Sequence, residues 1–171
     1  DRYLYGGDKA ALTPSQVRGL ALFRGRARCT DCHSMGSEAS LFTDHLFHNH
    51  SIGFANLGPR LAPAAKRVAA AELSGRDRMI IGDPDVAALG RFVVTLNPED
   101  IGKFKTPSLR NVALTAPYMH DGSIRSLEDA VSHEIYYRGQ AQGRPLILTP
   151  SERQDLVNFL LGLSGTYLQH Q

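Results

Sequence analysis

Cys29-Thr-Asp-Cys32-His33 constrains this chain more than any other stretch. It places the only two cysteines among 171 residues three apart, with a histidine directly after them. Two thiols at that spacing can each add to one vinyl group of a haem, and the adjoining imidazole is then in place to ligate the iron. A bare Cys-x-x-Cys is shared with redox dithiols and half zinc sites, so the histidine carries the discrimination. A two-Cys, two-His zinc pattern using Cys29, Cys32, His45 and His50 also has acceptable spacing. Five residues turn a helix by about 500°, however, so those two histidine rings diverge. A thioredoxin-like dithiol needs a βαβ setting that the flanking sequence does not supply; a structural disulfide is the remaining alternative.

Hydrophobic residues make up 42% and charged residues 21%, the balance of an ordinary globular chain. The length suits one domain with a real core. No apolar run approaches a membrane span, and a net charge of only +2 argues against a nucleic-acid partner. The chain opens Asp1-Arg-Tyr-Leu-Tyr5 with no secretory signal. Since haem c is attached outside the bacterial cytoplasmic membrane, the expectation is a mature, trimmed or partial periplasmic chain. Arg24, Arg26 and Arg28 lead into the motif. They suit haem propionates, an acidic redox partner or simple solvation.

Three helices can be placed with mechanisms. Thr13-Pro-Ser-Gln16 is a capping box that opens a helix carrying Val17, Leu20, Ala21 and Phe23, ending near Gly25. Thr149-Pro-Ser-Glu152 opens another, with Leu156, Leu160 and Leu163 on one stripe and Gly165 closing it. A third starts at Ser126, with Asp129 in the return position, and runs to about Tyr137 before Gly139. A weaker helix is expected from Ala62 to Leu73 with Gly75 as its stop, and Phe92-Val-Val-Thr95 is the one short strand expected. The fold class is therefore all-α: a cytochrome c-type haem domain with long irregular loops wrapped over one haem c, residues 34 to 125 forming the expanded loop region.

Further motifs follow the haem motif in a definite order: Phe42-Thr-Asp44, Phe47-His-Asn49, Gly90-Arg91, Phe104-Lys-Thr-Pro-Ser-Leu-Arg-Asn111, Ala113-Leu-Thr-Ala-Pro-Tyr-Met-His-Asp-Gly122 and Ser126-Leu-Glu-Asp-Ala130. In that order the chain resembles the C-terminal haem domain of bacterial di-haem cytochrome c peroxidases and their MauG-like relatives, over about Leu12 to Gly165. The resemblance implies a connector at residues 1–11 from an upstream haem domain and one haem domain over residues 12–171. It implies haem c held by Cys29, Cys32 and axial His33, with Arg110, Lys105 and His120 in the haem surroundings. It also implies a calcium ion held in part by the carbonyls of Thr115 and Pro117, the remaining protein ligand coming from the other domain. His48 and Met119 are read as packing residues and His45 as a surface residue.

The sixth iron ligand is where the pattern departs from the relatives, which supply Met or Tyr. Counting on from His120 without a gap brings that position to Glu134. At about 100° per residue, Glu134 shares a face with Leu127, Ala130 and Val131, whereas His133 points roughly 120° away. Imidazole is the better iron ligand chemically, so His133 stays open, as does Tyr137 on the flank of that face. A methionine there raises the potential; an anionic oxygen lowers it and favours ferric iron.

The function that the resemblance implies is electron transfer within a peroxidase- or MauG-like oxidoreductase. Electrons would pass from a small cytochrome c or copper-protein donor to a second, peroxide-reacting haem, with no catalytic acid or base in this half. A homodimer is the oligomer the resemblance implies. A stand-alone mono-haem electron carrier is the alternative.

Overall fold

A computed structural model describes residues 1–49, 57–141, 143 and 145–165; His50, invoked in the zinc spacing, lies outside the described residues. The described residues fall into two compact units, one of residues 1–46 with those from Thr106 onward, the other of Phe47–Lys105.

The first unit rests on three helices: α1 (Pro14–Arg24), α6 (Leu127–Ala141) and α7 (Pro150–Leu161). Both capping boxes form. The Thr13 hydroxyl accepts from the Gln16 amide and the Gln16 side chain accepts from the Thr13 amide; Thr149 and Glu152 repeat the arrangement. These exchanges satisfy N-terminal amides that a helix otherwise leaves unpaired. At the start of α6 the Ser126 hydroxyl accepts from the Asp129 amide at 3.0 Å.

Packing of α1 on α7 forms the core. Gly19, Leu20 and Phe23 are the buried residues of α1, while Ala21, placed on the expected stripe, is exposed. Phe23, Phe42 and Phe159 meet in a three-ring cluster with centroids 5.2 to 6.2 Å apart and tilted or edge-to-face planes, the preferred aromatic geometry. Leu163 lies beyond the end of α7, because Gly162 rather than Gly165 caps that helix. Gly165 instead donates its amide to the Asn111 side chain. Helix α6 runs through Gly139 to Ala141 rather than ending near Tyr137. One glycine weakens a helix without ending it where packing holds the rest.

Asp155 on α7 ties the two helices by accepting from Arg18 Nε at 2.7 Å, Arg18 Nη2 at 2.8 Å and Ser15 Oγ at 2.6 Å. The Arg18 and Ser15 hydrogen bonds hold this carboxyl below the usual aspartate range. A depressed folded pKa contributes stability above the unfolded value, near pH 4, and loses it as pH falls through the folded value. We therefore expect the parent to exceed Asp155→Asn in thermal midpoint at about pH 6 and to lose that margin progressively as pH falls below about 4. A margin independent of pH would refute the linkage.

The second unit replaces the expected loop region with short helices: α2 (Leu61–Ala70), α3 (Leu73–Gly82), α4 (Pro84–Ala87) and α5 (Phe92–Thr95). Their core comprises Leu57, Ala64, Val68, Val86, Ala88, Leu89, Phe92 and Val93. Ala71 and Glu72 are extended, so the expected Ala62–Leu73 helix divides, and Gly75 sits inside α3 rather than stopping a helix. Phe92–Thr95 is a helical turn, not a strand. It buries the adjacent residues Phe92 and Val93, and Leu96 in the left-handed region ends it, a case of packing overriding β propensity. The sheet pairs β1 (Phe47–Asn49) antiparallel with β2 (Lys103–Lys105), Phe47 opposite Lys105. No helix among the described residues is long and apolar enough to cross a membrane.

Candidate haem-attachment site

Helix α1 ends at Gly25 and the chain turns at once into the motif. The Gly25 amide returns to the Ala21 carbonyl and the Ala27 amide to that of Leu22, after which Arg28 takes a left-handed conformation. Cys29–Asp31 form a single 3-10 turn, with the amides of Cys32 and His33 both returning to the Cys29 carbonyl at 3.3 and 2.9 Å. Both thiols and the imidazole therefore belong to one hydrogen-bonded turn. Cys29, Cys32 and His33 are each partly buried, and the two cysteines are not joined.

His33 Nδ1 lies 2.8 Å from the Phe42 carbonyl oxygen. A carbonyl only accepts, so Nδ1 carries the proton and the ring's lone pair is on Nε2, the tautomer suited to a metal ligand. Phe42 itself sits at φ +55°, a left-handed conformation that costs a non-glycine residue of order 1 kcal/mol or more. The Phe23–Phe159 rings that bury it hold it there. The helix packing thus reaches the imidazole through one carbonyl.

Helix α6 buries Leu127, Ala130, Val131 and Ile135. Partly buried Glu134 lies on that side of the helix, close enough to Cys29 to oppose ionisation of its thiol. Burial is the main cause that pushes the Cys29 thiol up; Arg138 acts against it, and Glu134 and Asp31 reinforce it. His133 and Tyr137 stack on each other with centroids 4.2 Å apart, a flank pair four residues apart. Arg138 donates Nη1 to the Arg28 carbonyl at 2.8 Å and Nη2 to the Ala27 carbonyl. Motif spacing alone does not reveal Arg138; its one local cue is the four-residue step from Glu134.

Arg110 holds Asp1 with both carboxylate oxygens 2.8 Å from Nη2. Its Nε and the Thr106 hydroxyl are buried without a partner. Buried polar atoms without partners are rare in folded proteins and call for a specific explanation, a bound group among them. Unpaired donors on the Thr106–Arg110 segment, two thiols on one turn and an imidazole of fixed tautomer fit a haem with its propionates. Lys105 is exposed at the end of β2. Thr115 and Pro117 are exposed, flanking Ala116 after a 3-10 turn at Val112–Leu114. His120 lies at the surface, yet burial of its ring lowers its pKa against the opposing pull of Asp121.

A helical unit whose first helix runs straight into a Cys-x-x-Cys-His turn falls in the class of c-type haem domains. The chain belongs to the bacterial di-haem cytochrome c peroxidase and MauG-like family. It is 37% identical over 175 residues to the cytochrome-c peroxidase IdrP1 of Pseudomonas sp. (strain SCT), covering 96% of this chain and 43% of that protein. Among solved structures it is similar to a MauG-like protein associated with microbial copper homeostasis. That likeness has a TM-score of 0.63 and 29% identity, and covers 94% of this chain and 50% of that one. It is also similar to the diheme peroxidase BthA from Burkholderia thailandensis E264, with a TM-score of 0.58 and 25% identity, over 96% of this chain and 45% of that one. No protein-family model matches. The chain thus spans about half the length of the relatives it matches.

Proposed function

We propose that this chain is the electron-transfer haem domain, the C-terminal half, of a periplasmic di-haem peroxidase- or MauG-like oxidoreductase. When bound, haem c supplies a one-electron Fe(III)/Fe(II) couple. The residues do the rest. Cys29 and Cys32 would hold the group covalently, each thiol adding across a vinyl group, sulfur to one carbon and proton to the other, with no net redox change. His33, turned by the Phe42 carbonyl at 2.8 Å, would hold the iron through Nε2, and this contact is the observation that carries the proposal. Glu134 would supply the second protein ligand to the iron, supported by its place on the α6 side that acts on Cys29. Arg110 Nε would donate to a propionate, with His120 as an outer neighbour.

Residues 1–11 lead in from the first haem domain in this reading, and residues 12–171 form the haem domain. The carbonyls of Thr115 and Pro117 contribute to a calcium site that the other domain completes. The electron donor is a small cytochrome c or copper protein, the acceptor is the second haem, and the assembly is a homodimer.

The test is the denatured intact mass of the protein from its native source. A polypeptide of about twice this length carrying two haems supports the proposal. This polypeptide plus a single haem makes it a stand-alone carrier, and an unmodified polypeptide refutes haem attachment. In a chain matured with haem, Cys29→Ala together with Cys32→Ala is expected to abolish the haem mass increment.

A further inference from the structure

Arg138 has no part in that reading, yet its side chain bonds directly to the turn that carries the motif. Its guanidinium reaches two successive backbone carbonyls, Ala27 and Arg28, the two residues immediately before Cys29. Ala27 is fully buried and Arg28 sits at φ 50°, ψ 32°, a left-handed conformation that something must hold in a non-glycine residue. The Arg28 oxygen also accepts from the Asp31 amide at 3.2 Å, and the Cys29 thiol lies 3.7 Å from the Ala27 oxygen, so the guanidinium bonds the backbone of the turn itself. A planar fork of charged donors suits two adjacent carbonyls, whereas the single ammonium of lysine does not. Arg138 also lies close enough to Cys29 to interact with its thiol. It follows Glu134 by four residues, so one helix face carries both groups.

We propose that Arg138 is a positioning residue for haem attachment. Its fork locks the Ala27–Arg28 turn so that Cys29, Cys32 and His33 are presented together, and its charge stays fixed beside the attached haem edge. This rests on the reading of Cys29 and Cys32 as the haem-bearing thiols. It assigns a different task to α6, which would set both sides of the site from one rigid element. The fixed cation disfavours additional positive charge nearby and so favours ferrous iron, raising the potential.

The experiment compares the parent with Arg138→Met, Arg138→Lys and Arg18→Met, each produced with a haem c maturation system. The covalently attached fraction is read by denatured intact mass and the midpoint potential by spectroelectrochemistry. Arg18→Met breaks the α1–α7 ion pair and touches neither carbonyl. For Arg138→Met we expect attached haem to fall about tenfold, the loss typical of an outer-shell partner, and the remaining haem protein to show a lower potential. Arg138→Lys should lose attachment similarly while keeping a potential close to the parent's, because the charge remains. Arg18→Met should retain attachment and potential. Parent-like loading and potential in Arg138→Met overturn the proposal. So does an equal loss of haem in Arg18→Met, which would reduce the effect to general instability. Should Arg138→Met not fold, parent-like loading of Arg138→Lys overturns the clamp. A parent that acquires no haem refutes the attachment reading itself, a result distinct from all of these.

Discussion

Gly19→Ala is expected to lower the thermal midpoint by about 6–12 °C, against the ordinary rule that alanine stabilises a helix relative to glycine. The rule is worth about 0.5–1 kcal/mol here. Opposing it is geometry. A Cβ at Gly19 would stand 2.0 Å from the Asp155 carbonyl oxygen and 2.7 Å from the Phe159 Cβ. Neither is the free end of a flexible side chain, so helix α1 itself must move off α7. Overpacking a tight core costs about 1–3 kcal/mol, and a backbone clash of this depth belongs at or beyond the upper end. The net loss of about 3 kcal/mol gives the stated shift for a chain of this size. The consequence extends to the site, because Phe159 and Phe23 hold Phe42, whose carbonyl orients His33. Haem loading should therefore fall together with stability. A thermal midpoint unchanged or raised in Gly19→Ala would show that the two helices are not in the close contact described.

The features legible from sequence are those whose chemistry closes within a few residues. Thr13-Pro-Ser-Gln16 and Thr149-Pro-Ser-Glu152 announce helix starts because cap and return residue lie three apart, and both boxes form as written. The Cys-x-x-Cys-His turn is equally local. What pattern reading misses depends on partners far along the chain. Gly19 looks like a weak point in a helix until Asp155 and Phe159 stand against it. Phe92–Thr95 has the composition of a strand, yet Val86 and Leu89 bury it as a helical turn. Apart from the expected Ala62–Leu73 helix, the stretch from Phe47 to Lys105 looks like loop because its helices among the described residues are only 4 to 10 residues long, which gives periodicity little to register, although they share one core. Arg138 reaches carbonyls 110 and 111 residues away, and no spacing rule connects those positions. The Cys-x-x-Cys-His turn is thus readable from the chain, whereas the carbonyls, rings and guanidinium packed around it are not.

Glu134→Met is expected to raise the haem midpoint potential by on the order of 100 mV, within the ~0.8 V range that axial ligands span in haem proteins. The physical basis is the preference of a hard anionic carboxylate for ferric iron and of a soft thioether for ferrous iron. Glu134 is the residue chosen because it shares the inner side of α6 with Leu127, Ala130 and Val131, and because its charge is felt at Cys29. His133 lies round the helix and stacks on Tyr137, so bringing its ring to the iron would require breaking that 4.2 Å pair and turning the helix. His133→Ala should accordingly leave the absorption spectrum and the potential of the haem-loaded protein as they are, while Glu134→Met changes both. Glu134→Gln separates charge from ligation: removing the anion while keeping the shape should raise the potential by less than methionine does. A spectrum altered by His133→Ala and untouched by Glu134→Met would move the ligand to the imidazole and require α6 to be rotated in the haem-loaded protein. An effect of Tyr137→Phe alone would point instead to a phenolate one turn further along the same helix.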